Sequence, residues 1–317
     1  MLRTGQLIFN LMVQMSSNRP NSSIKITNLD KERLLSAFPK GVVAFDLEMT
    51  GLSAVVDKVI EIAAIKIDAD QSVSTFHELI NPLIEIPEQS IQYHNITNDM
   101  VRMKPTLKKP LQDFHDFFGN LPLIAHNALF DASFIIKGLH EHNLSFSRSD
   151  IFDSCKMSRA VYKKRKKEES PENFRLSTLA KFYNLDFTHH QALDDAIIGL
   201  KVMANCIGEL PSEKRPSKVK ELGFLFKLNS FQKREEYILP RKYRPIAEYA
   251  SKKTLIDIAY QGGSLKGQFR PVRPVAVLPM PQGLALYAEC LNSKTYKYFK
   301  LKKIKDFKIT DNKEAKC

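Results

Sequence analysis

Val42-Val43-Ala44-Phe45 is an apolar, β-branched run of the kind that forms a buried strand, and it continues directly into Asp46-Leu47-Glu48-Met49. The strand period of two sets Asp46 and Glu48 on one face and Phe45 and Leu47 on the other. Two more strand-like runs follow, over 58–67 and 73–80, the second closed by Asn81-Pro82, where the missing N–H favours an exit from a sheet. Three successive strands predict an antiparallel start. Thr97-Asn98-Asp99-Met100-Val101 reads as a capped helical turn, and Leu107, Leu111, Phe114, Phe117 and Phe118 repeat at helical spacing. A short apolar strand over 121–125 then turns into a helix carrying Phe134, Ile135 and Leu139. A strand near Ile151-Phe152 leads into another helix, Leu176 to Tyr183 forms the next, and a long helix opens after His190 and ends near Leu210. Strands followed by strand–helix alternation predict an α/β fold, a mixed sheet flanked by helices.

The pattern changes after Pro211. Ser212 to Lys218 is polar and proline-bounded, and beyond a helix near Pro245–Ala250 come short alternating runs over 254–260, 269–277, 284–290 and 296–304 with turn residues between them. Such runs predict a small β-barrel or strongly bent sheet. The expected organisation is a poorly specified lead over 1–37, with Met12 and Met15 as alternative starts, an α/β domain over 38–208, a linker or helical connector over 209–240, a β domain over 241–312 and a tail over 313–317.

Composition adds less than the distribution of charge. The chain has 317 residues, 43% of them hydrophobic and 26% charged, which suits a soluble globular protein with room for two cores. No apolar run approaches the roughly 20 residues of a membrane helix, so no membrane partner is expected. Cys155, Cys206, Cys290 and Cys317 have no metal-ligand spacing and read as reduced thiols in a cytoplasmic protein. Residues 1–208 hold 24 Lys+Arg and 24 Asp+Glu, whereas 209–317 hold 24 and 11, so the whole surplus of +13 lies in the last third. A basic module joined to a neutral, carboxylate-bearing one points to a polyanionic partner; ordinary solubility charge is the plainer reading. The Lys163-Lys164-Arg165-Lys166-Lys167 run is read either as a solvated loop or as a grip on phosphates.

Three acidic stretches carry the candidate chemistry. Two like charges about 4 Å apart in an effective dielectric near 20 repel by roughly 4 kcal/mol, so Asp46 and Glu48 are either a solvated strand end or the floor of a cation site. Asp131 follows a strand-to-helix turn, where open α/β sheets place their sites, or it caps the helix. His190 and Asp195 stand at a helix start, spaced to face one site while Asp194 points elsewhere; the alternatives are a satisfied surface histidine and a first-turn acid favoured by the helix dipole.

Together these stretches resemble the DEDDh family of 3′-to-5′ exonucleases, of the proofreading epsilon-subunit type. Asp46-Leu47-Glu48-Met49-Thr50-Gly51-Leu52 is similar to its first motif, His126-Asn127-Ala128-Leu129-Phe130-Asp131 to its second and His190-Gln191-Ala192-Leu193-Asp194-Asp195-Ala196 to its third. Ile91-Gln92-Tyr93-His94-Asn95-Ile96-Thr97 is similar to its histidine-and-Ile-Thr segment, with Asn95 where glycine is usual. The resemblance implies an RNase H-like fold and two divalent cations, Mg²⁺ or Mn²⁺, held by Asp46, Glu48, Asp131 and Asp195. His190 is then the general base, and Met49, Thr50, Gly51, Leu52, His94, Asn127 and Phe130 seat the terminal nucleotide.

Residues 241–312 resemble a WYL domain, a small SH3/Sm-like β-barrel, through Ile258-Ala259-Tyr260, Arg270-Pro271-Val272-Arg273-Pro274, Leu284-Ala285-Leu286-Tyr287 and Phe299-Lys300-Leu301-Lys302-Lys303-Ile304. Leu284-Ala285-Leu286 stands where the namesake Trp-Tyr-Leu would fall. Arg270, Arg273, Lys300, Lys302 and Lys303 are the candidate contacts to a nucleic-acid backbone. The expected activity is exonucleolytic release of nucleoside 5′-monophosphates from DNA, single-stranded by preference. The first motif is also similar to that of oligoribonucleases, which keeps short RNA as an alternative substrate, and a non-catalytic nucleic-acid-binding regulator is the alternative of another class. Association with a DNA polymerase is not favoured, since the C-terminal region reads as a folded module and not as a tethering peptide.

Overall fold

The computed structural model describes residues 24–163, 165–185, 191–233, 239–263, 265–280 and 283–310. The chain divides into two compact units, with the boundary between Lys233 and Arg234.

The first unit is built on a six-stranded mixed sheet of order β3-β2-β1-β4-β5-β6. Its strands are β1 (Gly41–Met49), β2 (Val59–Asp68), β3 (Val73–Leu79), β4 (Leu123–Ala125), β5 (Asp150–Asp153) and β6 (Phe224–Lys227). The first three are antiparallel, as their succession predicts, and β4 lies parallel to β1. Because β1 is central it is covered on both faces, and the side-chain period divides it cleanly. Val42 and Ala44 enter one apolar cluster with Leu34 of helix α1 (Asn28–Ala37), Met157 of α6 (Ser154–Tyr162), Leu179 of α7 (Leu176–Phe182) and Ile197 and Ile198 of α8 (Ala192–Gly208). Val43, Phe45 and Leu47 enter the other, with Leu111, Phe114 and Phe118 of α4 (Lys108–Phe118) and Phe134, Ile135 and Leu139 of α5 (Leu129–Glu141). Two short helices, α2 (Glu88–His94) and α3 (Asn98–Val101), lie between β3 and α4.

The span expected to be a connector is partly core. Helix α9 (Arg215–Gly223) buries Val219 against the α1–α6–α8 layer, and β6 pairs antiparallel with β5 as an edge strand. The signal was the short apolar run Phe224-Leu225-Phe226, overshadowed by its basic surroundings.

The second unit contains α10 (Arg244–Ser251) and an antiparallel sheet of order β10-β9-β8-β7-β11. Its strands are β7 (Ile256–Tyr260), β8 (Phe269–Met280), β9 (Gly283–Cys290), β10 (Thr295–Lys300) and β11 (Ile304–Ile309). The run 296–304, expected as one strand, is broken by the turn Leu301–Lys303, which buries Leu301 and carries the chain from one edge strand to the other. Edges of a flat five-stranded sheet lie about 19 Å apart, whereas the four residue steps from Lys300 to Ile304 reach at most about 14 Å. The sheet is therefore bent. Of the two expected forms, a small β-barrel or a strongly bent sheet, the antiparallel sheet takes the bent form, and no β10–β11 pairing closes it among the described residues.

Candidate metal centre

The site grows from the carboxyl end of β1. Asp46 and Glu48 occupy the half-buried positions of an otherwise buried strand, on the face packed by α8. Asp195 lies in the first turn of α8. One carboxylate oxygen from each of Asp46, Glu48 and Asp195 lies within 4.8 Å of the others. Asp131, buried in the first turn of α5, is held by backbone N–H groups of Leu47 and of its own residue and adds its charge to the field at Asp46 and Glu48. The strand end thus does not solvate its acids; it gathers them.

The electrostatic consequence is uniform. Burial first, then mutual repulsion, pushes the Glu48 carboxyl up to about 8, and burial drives Asp131 and Asp195 to about 7. Asp46 is raised well above the carboxylate range by burial and by Asp131, Asp195 and Glu48. Asp195 Oδ1 is buried without a hydrogen-bond partner among the described residues. Convergent, mutually repelling hard oxygen donors are the donor set a divalent cation such as Mg²⁺ or Mn²⁺ takes. These residues fit such an ion.

His190, the expected general base, lies outside the described residues, as does Lys164 of the basic run. The other site candidates fall around the acids. Met49 is buried beside Glu48, where the β1–β2 register shifts and skips Ile60. Thr50, Gly51 and Leu52 form a loop fastened by Asp57, whose carboxylate accepts the Ser53 N–H at 2.8 Å, while the Thr50 hydroxyl accepts the Lys58 N–H at 3.0 Å. A Cβ on Gly51 would lie 2.5 Å from that carboxylate, so the close approach requires glycine. Leu52 projects to solvent. Ser90 of α2 donates to the Thr50 carbonyl at 2.8 Å, docking α2 on this loop, and His94 ends α2 buried, its Nδ1 accepting the Ile96 N–H. Asn95 adopts a left-handed conformation with φ of +59°. Asparagine is among the few residues that tolerate it in place of glycine.

The β4–α5 turn holds Asn127, also left-handed at φ +64°, and half-buried Phe130, packed edge-on against Phe134 at 5.6 Å. His126 bridges behind it. Its Nε2 donates to the Phe174 carbonyl at 3.0 Å, so the neutral ring's Nδ1 accepts from the Ser154 hydroxyl at 2.8 Å; burial lowers its pKa and keeps it neutral.

Two carboxylates beside the site were not among the sequence candidates. Asp153 caps α6, and its Oδ1 accepts N–H bonds from Cys155, Lys156 and Asn127, tying the Asn127 turn to the next helix. Its Asp-Ser-Cys context is an N-cap signal that could have singled it out. Glu61 on β2 is buried opposite Glu48, with no signal beyond being a charge in an apolar strand.

In the second unit, Arg270 leaves the set of candidate nucleic-acid contacts. It is 5% exposed, and its guanidinium donates to the carbonyls of Gly262 at 3.3 Å and Leu265 at 2.5 Å, clamping the β7–β8 loop. Arg273 is exposed and paired with Glu289 at 2.8 Å. Lys302 and Lys303 are exposed on the turn after β10, and Lys300 is half-buried.

With this geometry in hand, a family model described as an exonuclease (RNase_T) matches residues 43–203, just the span that brings Asp46, Glu48, Asp131 and Asp195 together. The chain belongs to the exonuclease family. This exonuclease-family chain is similar to the PolC-type DNA polymerase III of Halalkalibacterium halodurans, 35% identical over 155 residues that make up 49% of this chain and 10% of that polymerase. It is also similar to the PolC-type enzyme of Oceanobacillus iheyensis, 38% identical over 157 residues, again 49% and 10%. The exonuclease-family chain thus spans about a tenth of the length of these relatives. A solved structure of exonuclease I is similar at 17% identity with a TM-score of 0.49, over 78% of this chain and 55% of that one.

Proposed function

We propose that this chain is a metal-dependent 3′-to-5′ exonuclease that releases nucleoside 5′-monophosphates from DNA, single strands foremost. The convergence of Asp46, Glu48 and Asp195 within 4.8 Å, with Asp131 alongside, carries the reading within a chain of the exonuclease family. Asp46, Glu48, Asp131 and Asp195 would hold two divalent cations, Mg²⁺ or Mn²⁺. When bound, such ions polarise the scissile phosphate, lower the pKa of the attacking water and stabilise the leaving oxygen. The protein supplies the rest. His190, an imidazole of the kind suited to general-base work, accepts the water's proton. The Thr50–Leu52 loop, Met49, His94, Asn127 and Phe130 seat the terminal nucleotide, the loop braced by Asp57 and Ser90 and the Asn127 turn by Asp153.

The preference for DNA is supported by the PolC-type DNA polymerases among the relatives. The oligoribonuclease-like wording of Asp46 to Leu52 favours short RNA as the second reading. Residues 241–312 are proposed as a WYL-like module that grips nucleic acid through Arg273, Lys300, Lys302 and Lys303, beside exposed Tyr296 and Tyr298. Free Cys155, Cys206 and Cys290 are consistent with a reducing, cytoplasmic setting, and no described helix is long and apolar enough to cross a membrane.

Digestion of 5′-labelled oligonucleotides with Mg²⁺ or Mn²⁺ tests the reading. A ladder of shortened products, lost in Asp46→Ala, is expected; no ladder, or one unchanged in that variant, overturns it. Matched DNA and RNA strands in competition separate the two substrates. We also propose that the chain acts apart from a replicative polymerase, which stable co-purification with one would refute.

A further inference from the structure

Beside the three gathered carboxylates stands another that the proposed chemistry does not use. The β1–β2 register sets Glu61 directly opposite Glu48 and Ala63 opposite Asp46, and the β2–β3 register sets His77 opposite Ala63. The period of two therefore lines up Asp46, Glu48, Glu61, Ala63 and His77 on one face of the sheet. The methyl of Ala63 leaves His77 to reach diagonally along that face, and its Nε2 lies 2.5 Å from Glu61 Oε1. Both side chains are largely enclosed, 20% exposed for His77 and 12% for Glu61.

A carboxylate beside Lys or Arg has its charge cancelled, as Asp30 has beside Lys201. An imidazole N–H instead satisfies the hydrogen bond and fixes the geometry without a permanent positive charge. Glu61 is the largest of the charges that act on Glu48, and it also acts on Asp46 and Asp195. It lies outside the trio whose oxygens come within ligating reach of one another. Its negative charge thus bears on the ligands from beside them, on the same face of the sheet.

We propose that Glu61, held in place by His77, is a positioning residue that tightens divalent-cation binding at Asp46, Glu48 and Asp195 without ligating the ion. The role rests on the metal-dependent reading above. Calorimetric titration of Mn²⁺ into the full chain separates the two: if the wild-type protein takes up no Mn²⁺, the metal reading itself fails. If it does, Glu61→Gln is expected to raise the Kd about tenfold, the scale of other outer-sphere ligand partners. His77→Ala, which frees Glu61, raises it about threefold, and His77→Gln, which keeps an N–H donor, restores the affinity to within about twofold of wild type. Glu78→Gln removes the same charge from the opposite face of β3, on the residue paired with Ile62, and leaves the Kd unchanged. An unchanged Kd in Glu61→Gln, or an equal loss in Glu78→Gln, overturns the proposal. Thermal unfolding without metal supplies the second readout. Glu61→Gln should melt at or above wild type, whereas a lower melting temperature with unaltered Kd makes Glu61 a structural brace for His77 and nothing more.

Discussion

Two charged residues of helix α8, half-buried Asp195 and buried Lys201, stand in opposite circumstances. At its first turn Asp195 faces Asp46 and Glu48 with no positive partner among the described residues, and its pKa is pushed up to about 7. Farther along, Lys201 lies 2.7 Å from Asp30 of α1, each side chain 8% exposed, and also donates to the Lys25 carbonyl at 2.9 Å. Asp30 is further fixed by the Thr27 capping box. One of these two sites, at mid-helix Lys201, has its charge neutralised by the fold. The other keeps a charge that the fold leaves uncancelled, and a group left so is available to an exogenous cation.

The largest effect expected from breaking this contrast is at the uncancelled end. Asp46→Asn should lower cleavage by about a thousandfold or more, measured on labelled oligonucleotides. The same variant, freed of repulsion, should melt no lower than wild type when no metal is present. Lys201→Met should do the reverse. With Asp30 stranded, it should cost about 3–5 kcal/mol of stability in denaturant unfolding, while cleavage per folded molecule and Mn²⁺ affinity hold.

The third expectation concerns pH. The unfolded carboxyls titrate near 4, whereas those of folded Asp131, Asp195 and Glu48 titrate at about 7, 7 and 8. Between those limits the folded state binds more protons than the unfolded state, so stability falls as pH rises. Metal-free protein should therefore lose stability progressively between pH 5 and 8, and Mn²⁺ should flatten the slope. Chemical denaturation across that range checks both. The smallest effect belongs to the neutralised site: Thr27→Ala removes one side of the capping box and should cost about 1 kcal/mol, with no change in the Mn²⁺ titration.

The fold of the first unit was largely legible because its strands and helices obey their periods. Val42 to Met49 announces both faces of β1, and the helical spacing of Leu111, Phe114 and Phe118 announces the side of α4 that is buried. The second unit was less so. Leu301 sits in a run that reads as strand, yet it is the hinge between opposite edges of a bent sheet, which only the strand order reveals. Arg270 reads as a free cation and is instead a loop clamp, because a long side chain can turn inward wherever carbonyls lack donors.

The sequence by itself determined that acids would stand at the ends of particular strands and helices, since alternation and helix starts are local properties of the chain. Asp46, Glu48, Asp131 and Asp195 could be named from it. Only the tertiary structure decided that Glu61 faces Glu48, that His77 reaches Glu61 across Ala63, and that Lys201 meets Asp30 while Asp195 meets no cation among the described residues. Strand register and helix packing join residues far apart in the chain, and no local period encodes which of them become neighbours.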